Sequence, residues 1–314
     1  MIWLSWRLQR TETLIAAALL ALLAALLVPT GIQMASAYHH DGLSACLAAN
    51  PSYACGNAVD SFTSRFESLR NVTAWLTLIP GLVGVTLAAP FILDLEKGTY
   101  RLAWTQSITR RRWIAGRLGL GVGVAMLATL ALTLLLTWWR APWVHLQGRL
   151  EPSAYDAEGI VVYGYTLFAL GLALAIGVVW RRAVPALVIA FLGYFAARLF
   201  VDTWLRQRLV KPLTSTWSMR QRGPDLNHAW VLSQGPSDRF GHTLDRVVPC
   251  AGPVPGNVKP DPNCLAQQGR GYMHAVYHPA SHFWALQSIE TALFAGTALA
   301  MIAGAVWWTR ERTA

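Results

Sequence analysis

Six blocks of roughly twenty apolar residues, nearly free of charge, constrain this chain more than any other feature. They occupy residues 13–37, 72–94, 118–139, 159–180, 183–204 and 284–308. A helix of about twenty residues crosses the ~30 Å hydrocarbon core of a bilayer. In lipid every backbone amide needs an internal partner, so only helices and closed barrels span, and these blocks do not alternate as barrel strands do. The expected fold class is therefore all-α, a polytopic membrane protein with six transmembrane helices. Composition agrees, since 13% of the 314 residues are charged, against about 25% in a soluble domain. Trp75, Trp138, Trp139, Trp180, Trp204, Trp284, Trp307 and Trp308 mark block ends, where an indole prefers the headgroup level.

Charge sets the orientation. The net charge of +10 lies largely in short runs beside apolar blocks, such as Arg110, Arg111 and Arg112, or Arg181 and Arg182. That pattern belongs to topology rather than to nucleic-acid binding. With the N-terminus in the cytoplasm, Arg7, Arg10, the stretch 95–117, Arg181, Arg182 and the tail 309–314 with Arg310 and Arg312 all lie inside. The loops 38–71, 140–158 and 205–283 then lie outside. So do Cys46, Cys55, Cys250 and Cys264, on the face where disulfides persist. Local pairs, Cys46–Cys55 and Cys250–Cys264, are expected among the three pairings possible. The first block has a rival reading as a signal peptide cleaved after Ala35-Ser36-Ala37, although its apolar run is long for one. The segment 205–283, rich in proline and glycine, is too long for a connection and reads as a small extracellular cap.

Motifs exclude several chemistries. A phosphate-binding P-loop needs Gly-Lys followed by Ser or Thr. The three lysines, Lys97, Lys211 and Lys259, precede Gly98, Pro212 and Pro260, so ATP-driven work is expected in another chain. Gly119, Gly121 and Gly123 are expected to serve helix packing through small residues. No nucleophile elbow or His-Glu-x-x-His helix occurs, so no catalytic residue is expected. His274, His278 and His282 recur at metal-site spacing, but Pro279 interrupts the helix this would need, and no metal is expected. Asp238 and Asp245 read as solvated loop residues.

Two groups of residues stand out. Between the second and third blocks, Tyr100, Trp104 and Ile108 recur at i, i+4, i+8 beside Arg101 and Thr105. Such a face suits a groove on a partner or a layer of lipid headgroups, and periodicity leaves both open. Within the spans, charges are costly and functional by default. Arg198 and Asp202 lie one turn apart on the fifth block and can pair. Glu290 lies about two turns inside the sixth, with Gln287 one turn nearer its start. An Arg198–Glu290 contact would lock the fifth and sixth helices; a part in substrate passage is the other reading.

The strings ILDLEKGTYRLAWTQSITRRRW, MIWLSWRLQR and YHPASHFWALQSIE, in that family's order along the chain, resemble the actinobacterial ATP-binding-cassette exporter permeases of the ABC-two (type V) class. The resemblance covers the whole chain and departs from the family pattern at His282, where arginine is favoured. It implies a coupling helix in 95–117 that docks on an ATPase subunit, carried by Glu96, Gly98, Thr99, Arg101, Trp104, Gln106, Arg110, Arg111 and Arg112. It implies an amphipathic interfacial helix over residues 1–12, with Trp3 and Trp6 toward lipid and Arg7 and Arg10 toward phosphate. It further implies a homodimer in the bacterial cytoplasmic membrane, two ATPase copies carrying ATP and magnesium, and export of a drug, antibiotic or lipid. Alternatives of other classes are a stand-alone secondary transporter and a sensor or assembly protein with a ligand-binding outer domain.

Overall fold

The computed structural model describes residues 2–48, 53–99, 109–221, 223–242 and 271–312. Arg101, Trp104, Gln106, Asp245, Cys250 and Cys264 lie outside these residues, and the side chains of residues 1–12 are not described. In chain order the elements are α1 (Ile2–His40), α2 (Leu43–Ala48), α3 (Tyr53–Leu76), α4 (Ile79–Glu96), α5 (Arg110–Gln147), α6 (Pro152–Tyr155), α7 (Val161–Trp180) and α8 (Ala183–Phe200). A π-helical turn (Val201–Leu205) and α9 (Arg206–Leu209) continue α8. Strands β1 (Leu213–Ser218), β2 (Trp230–Ser237) and β3 (Tyr272–His278) follow. A 3-10 turn (Ala280–His282) then opens α10 (Phe283–Arg312). As expected, six helical stretches are long and apolar enough to cross a membrane: Thr13–His40, Cys55–Glu96, Arg110–Gln147, Val161–Trp180, Ala183–Leu209 and Ala280–Glu311.

The bundle is organised around α7, the most enclosed of the spans. Lipid offers no hydrophobic drive for helix association, so close backbone approach has to supply it. Glycines permit that approach. A Cβ on Gly84 of α4 would collide with the Thr166 carbonyl of α7, and one on Gly171 of α7 would lie 2.9 Å from the Ala298 carbonyl of α10. Phe294 of α10 fills the space between Tyr165 and Phe168, edge-on to both at 5.0 and 5.1 Å. In the buried middle, Thr129 of α5 donates to Thr166 at 2.9 Å. A second apolar cluster joins α1, α3 and α5 through Met34, Phe62, Leu132 and Trp143.

Several sequence expectations change here. The chain is mostly helical, but 205–283 also carries a three-stranded antiparallel sheet of order β1-β3-β2, bulged at Leu232. The segment 38–71 is helical for most of its described length, and Cys46 and Cys55 form the expected disulfide, tying α2 to α3. The expected span 72–94 is broken at Thr77 and Leu78, because Pro80 starts a new helix there. Helix α5 begins at Arg110 and runs on through Gln147, so the triple arginine forms its first turn. Trp139 is not a headgroup marker: it is 1% exposed and donates its indole N–H to Thr30 at 3.0 Å. Trp75, Trp138, Trp180, Trp204, Trp284 and Trp307 are exposed. Gly119 and Gly123 face open space, whereas Gly81, Gly84, Gly164, Gly171 and Gly177 make the tight contacts.

Candidate functional site

A buried cluster of charge closes the sheet end of the bundle. Its first arm is the connection from α5 to α7. Gly148, at φ 84°, caps α5, and Pro152 starts the single turn α6, which delivers Asp156 at its end. Gly159, at φ 74°, turns the chain into α7, and a Cβ there would meet Gln287 Oε1 at 2.7 Å. That glutamine of α10 accepts from the Val161 amide at 2.9 Å and donates to the carbonyls of Tyr155 and Glu158 at 3.1 and 3.2 Å. Gln287 therefore satisfies the start of α7 while pinning the connection to α10.

The second arm is the end of α8. At ~100° per residue, the eight residues from Arg198 to Arg206 would leave their side chains about 80° apart on a regular helix. The π turn widens one turn to an i→i+5 bond, from the Arg206 amide to the Val201 carbonyl. The extra residue taken up by that turn removes most of the offset, and both guanidiniums face the same acids. Arg198 grips Asp156 with two nitrogens, Nη1 to Oδ1 at 3.2 Å and Nη2 to Oδ2 at 2.7 Å, the strong fork geometry. Arg206 reaches Asp156 at 2.5 Å, Glu290 at 2.9 and 3.0 Å and Asp202 at 2.5 Å.

The third arm is α10, where Gln287 and Glu290 share one face and both are fully buried. Tyr165 of α7 stands between the acids, its hydroxyl 2.6 Å from Glu290 and 3.1 Å from Asp156. Having one proton, it donates to one carboxylate at a time. Arg198 lies over the Tyr165 ring at 3.8 Å and Arg206 over the Tyr155 ring at 4.4 Å. Burial alone would raise Asp156, but Arg198 and Arg206 pull it below the usual carboxylate range. Burial, and then Glu290, push the Tyr155 phenol up. A chain of charge continues beside the cluster: Arg140 to Glu151 at 3.2 Å, and Glu158 between Arg140 at 3.8 Å and Arg149 at 3.3 Å. Burial raises Glu158 despite both arginines.

The expected Arg198–Glu290 contact joins α8 to α10 at 3.8 Å, whereas Arg198 and Asp202, expected to pair with each other, take other partners. Asp202 is held by Arg206, one turn further on, and the shorter bonds of Arg198 go to Asp156. The reason is the π turn, which a regular i, i+4 spacing does not anticipate. Asp156, Tyr165 and Arg206 were missed. The signal for Asp156 and Arg206 was an acid just before a span and an arginine just after one, which reads equally well as topology-setting charge; Tyr165, inside a span, carried none. The histidines do not share a helix: His274 and His278 are on β3 and His282 is in the 3-10 turn. His274 pairs with Thr216 at 2.9 Å, and the Nδ1 atoms of His278 and His282 lie 3.2 Å apart. Among the described residues no group of three potential ligands is placed to hold a metal. Asp238 caps its own turn, accepting from the amides of Phe240 and His242.

At the opposite end, the chain leaving α4 is rooted in two neighbours. Gly98, at φ 69°, follows the end of α4, and Thr99 donates to Asp94 at 3.1 Å. Asp94, half-buried, pairs with the buried Arg117 of α5. Glu96 accepts from the Ala183 amide at 2.8 Å, capping α8, whose own N-cap residue Arg182 offers no side-chain bond. Arg110 donates to the Arg310 carbonyl at 3.4 Å, while Arg111 and Arg112 sit on the same first turn of α5.

No curated protein and no solved structure matches the chain. Residues 17–206 match the family described as ABC-2 membrane transporter related, a stretch that runs from α1 through the π turn to Arg206. This match covers well over half of the sequence and ends on a residue of the buried cluster. With six spanning helices, the chain thus belongs to the ABC-2 membrane transporter related family, as a multi-pass permease component of the plasma membrane.

Proposed function

We propose that the chain is the export permease of an ATP-binding-cassette transporter, with a separate ATPase subunit docking on the connection between α4 and α5. The observation that carries this reading is how that connection is rooted. Asp94–Arg117 binds α4 to α5, and Glu96 binds α4 to the start of α8. A push delivered at residues 97–112 therefore reaches three helices together. One of them, α8, carries Arg198 at its far end and leads through the π turn to Arg206, so the same displacement loads the buried charge cluster. In this reading the ATPases close on ATP, the roots tilt α4, α5 and α8, and the cluster acts as a clasp that gives way and re-forms in each cycle. The acids and guanidiniums exchange partners with one another, which keeps them from facing lipid unpaired. Both termini lie in the cytoplasm, the sheet lies outside, two copies form the pathway, and the cargo is hydrophobic or amphipathic.

The test is co-purification of the tagged permease in mild detergent, wild type beside Trp104→Ala, Arg101→Glu and a charge reversal of Arg111 and Arg112. An ATPase subunit is expected with the wild type and lost in the variants. A folded, oligomeric wild type that brings down no ATPase under several gentle conditions overturns the reading.

A further inference from the structure

We infer that a cleft between the end of α5 and the start of α10 binds an amphipathic anion, holding its charge on Arg149 and its apolar body on the exposed Trp284. The cleft measures about 280 Å³, and none of its lining residues is acidic. That volume suits one fused-ring group or the first part of an acyl chain. Val144 and Leu150 add apolar lining.

Arg149 is unusually prepared for a ligand. Its guanidinium lies 4.4 Å over the Phe283 ring and 5.7 Å from that of Trp284, which fixes its plane by cation–π attraction. Glu158 holds it from behind at 3.3 Å through Nε. Among the described residues its hydrogen bonding runs through Nε alone, so both Nη groups remain donors for a ligand oxygen. The side chain is 42% exposed while Glu158 behind it is 1% exposed, so an incoming anion meets the cation first.

The floor of the cleft is built under strain. Gly148, at φ 84°, and His228, at φ 61°, touch one another. A Cβ on Gly148 would lie 2.6 Å from the His228 Cα, so only glycine fits. His228 Nε2 lies 3.2 Å from the His145 carbonyl, fastening the β1–β2 connection to the end of α5. The backbone cost falls on His228, a non-glycine residue at φ 61°, and such strain gathers at binding sites. The exposed Trp284 lies in the first turn of α10, near the edge of its span, at the depth where amphipathic molecules concentrate.

A lipid headgroup and a soluble amphipathic compound share this chemistry. The test uses the purified full-length permease in a neutral maltoside detergent, without nucleotide or ATPase. Binding of 1-naphthyl phosphate is compared with 1-naphthol, and dihexanoyl phosphatidylglycerol with dihexanoyl phosphatidylcholine. Saturable binding of an anionic probe is expected, at least tenfold tighter than its uncharged or zwitterionic counterpart. Arg149→Gln is expected to weaken it tenfold or more, and Trp284→Ala severalfold. Tighter binding of the lipid probe identifies a headgroup site; tighter binding of naphthyl phosphate identifies a soluble amphipath. If Arg149→Gln does not fold, Trp284→Ala decides, since its side chain is exposed. No saturable binding to folded wild type, or affinity unchanged in the folded variants, overturns the inference. Because no ATPase is present, this outcome is independent of the docking reading.

Discussion

Replacing Arg206 by glutamine is the sharpest probe of the buried cluster. The clasp holds three carboxylates, Asp156, Asp202 and Glu290, against two guanidiniums, Arg198 and Arg206. In Arg206→Gln three acids face Arg198 alone, with Glu290 and Asp156 still buried. Removing one partner of a buried pair leaves an uncompensated charge, at a cost of about 3–5 kcal/mol. In Glu290→Gln the balance becomes two acids to two guanidiniums, and the amide oxygen still accepts from Arg206. Its cost should be that of weakened charge-assisted hydrogen bonds, about 1–3 kcal/mol. The double variant removes the orphaned charge along with its cause, so its loss should fall short of the sum by about 1–3 kcal/mol. The assay is denaturant unfolding of the four proteins in mild detergent, followed by tryptophan fluorescence. Equal losses in the two single variants, or strict additivity in the double, would refute the charge-balance reasoning.

Other perturbations have defined signs. The pH dependence of melting should carry two limbs. Glu158 is raised in the fold, so stability is lost as pH rises through its folded value and is regained on acidification toward ~4.3. Asp156 is depressed, so its contribution is complete above the ordinary carboxylate range and is lost as pH falls through its lower folded value. Melting curves should show Glu158→Gln abolishing the first limb and Asp156→Asn the second; an unchanged profile in both variants would count against these assignments. Gly84→Ala places a methyl into the Thr166 carbonyl and against Ala169 at 2.9 Å, and should cost about 1–3 kcal/mol or more. Gly123→Ala meets open space and should be neutral or stabilising by about 0.5–1 kcal/mol, so thermal melting that ranked the two the other way would remove the packing argument.

Much of this protein was legible in its residues alone, for a physical reason. Lipid demands long apolar helices, and that demand is written locally, as blocks of about twenty residues without charge. The disulfide between Cys46 and Cys55 and the intramembrane charges Arg198, Asp202 and Glu290 were equally local signals, because each is rare where it stands. Tertiary structure decided what those signals meet. Asp156 precedes a span and Arg206 follows one, so in the sequence each looks like charge that sets topology, and only the π turn after Phe200 aims Arg206 at Glu290 and Asp156. Trp139 points about 100° away from Trp138 on the helix, but in a block apolar all round the pattern does not say which of the two faces inward. Trp139 turns inward because Thr30 of another helix accepts its proton. The three glycines that open the third block and the five that pack the helices are also alike as residues. Which of them lies against a neighbouring backbone depends on helix rotation, and rotation is set by partners far away in the chain.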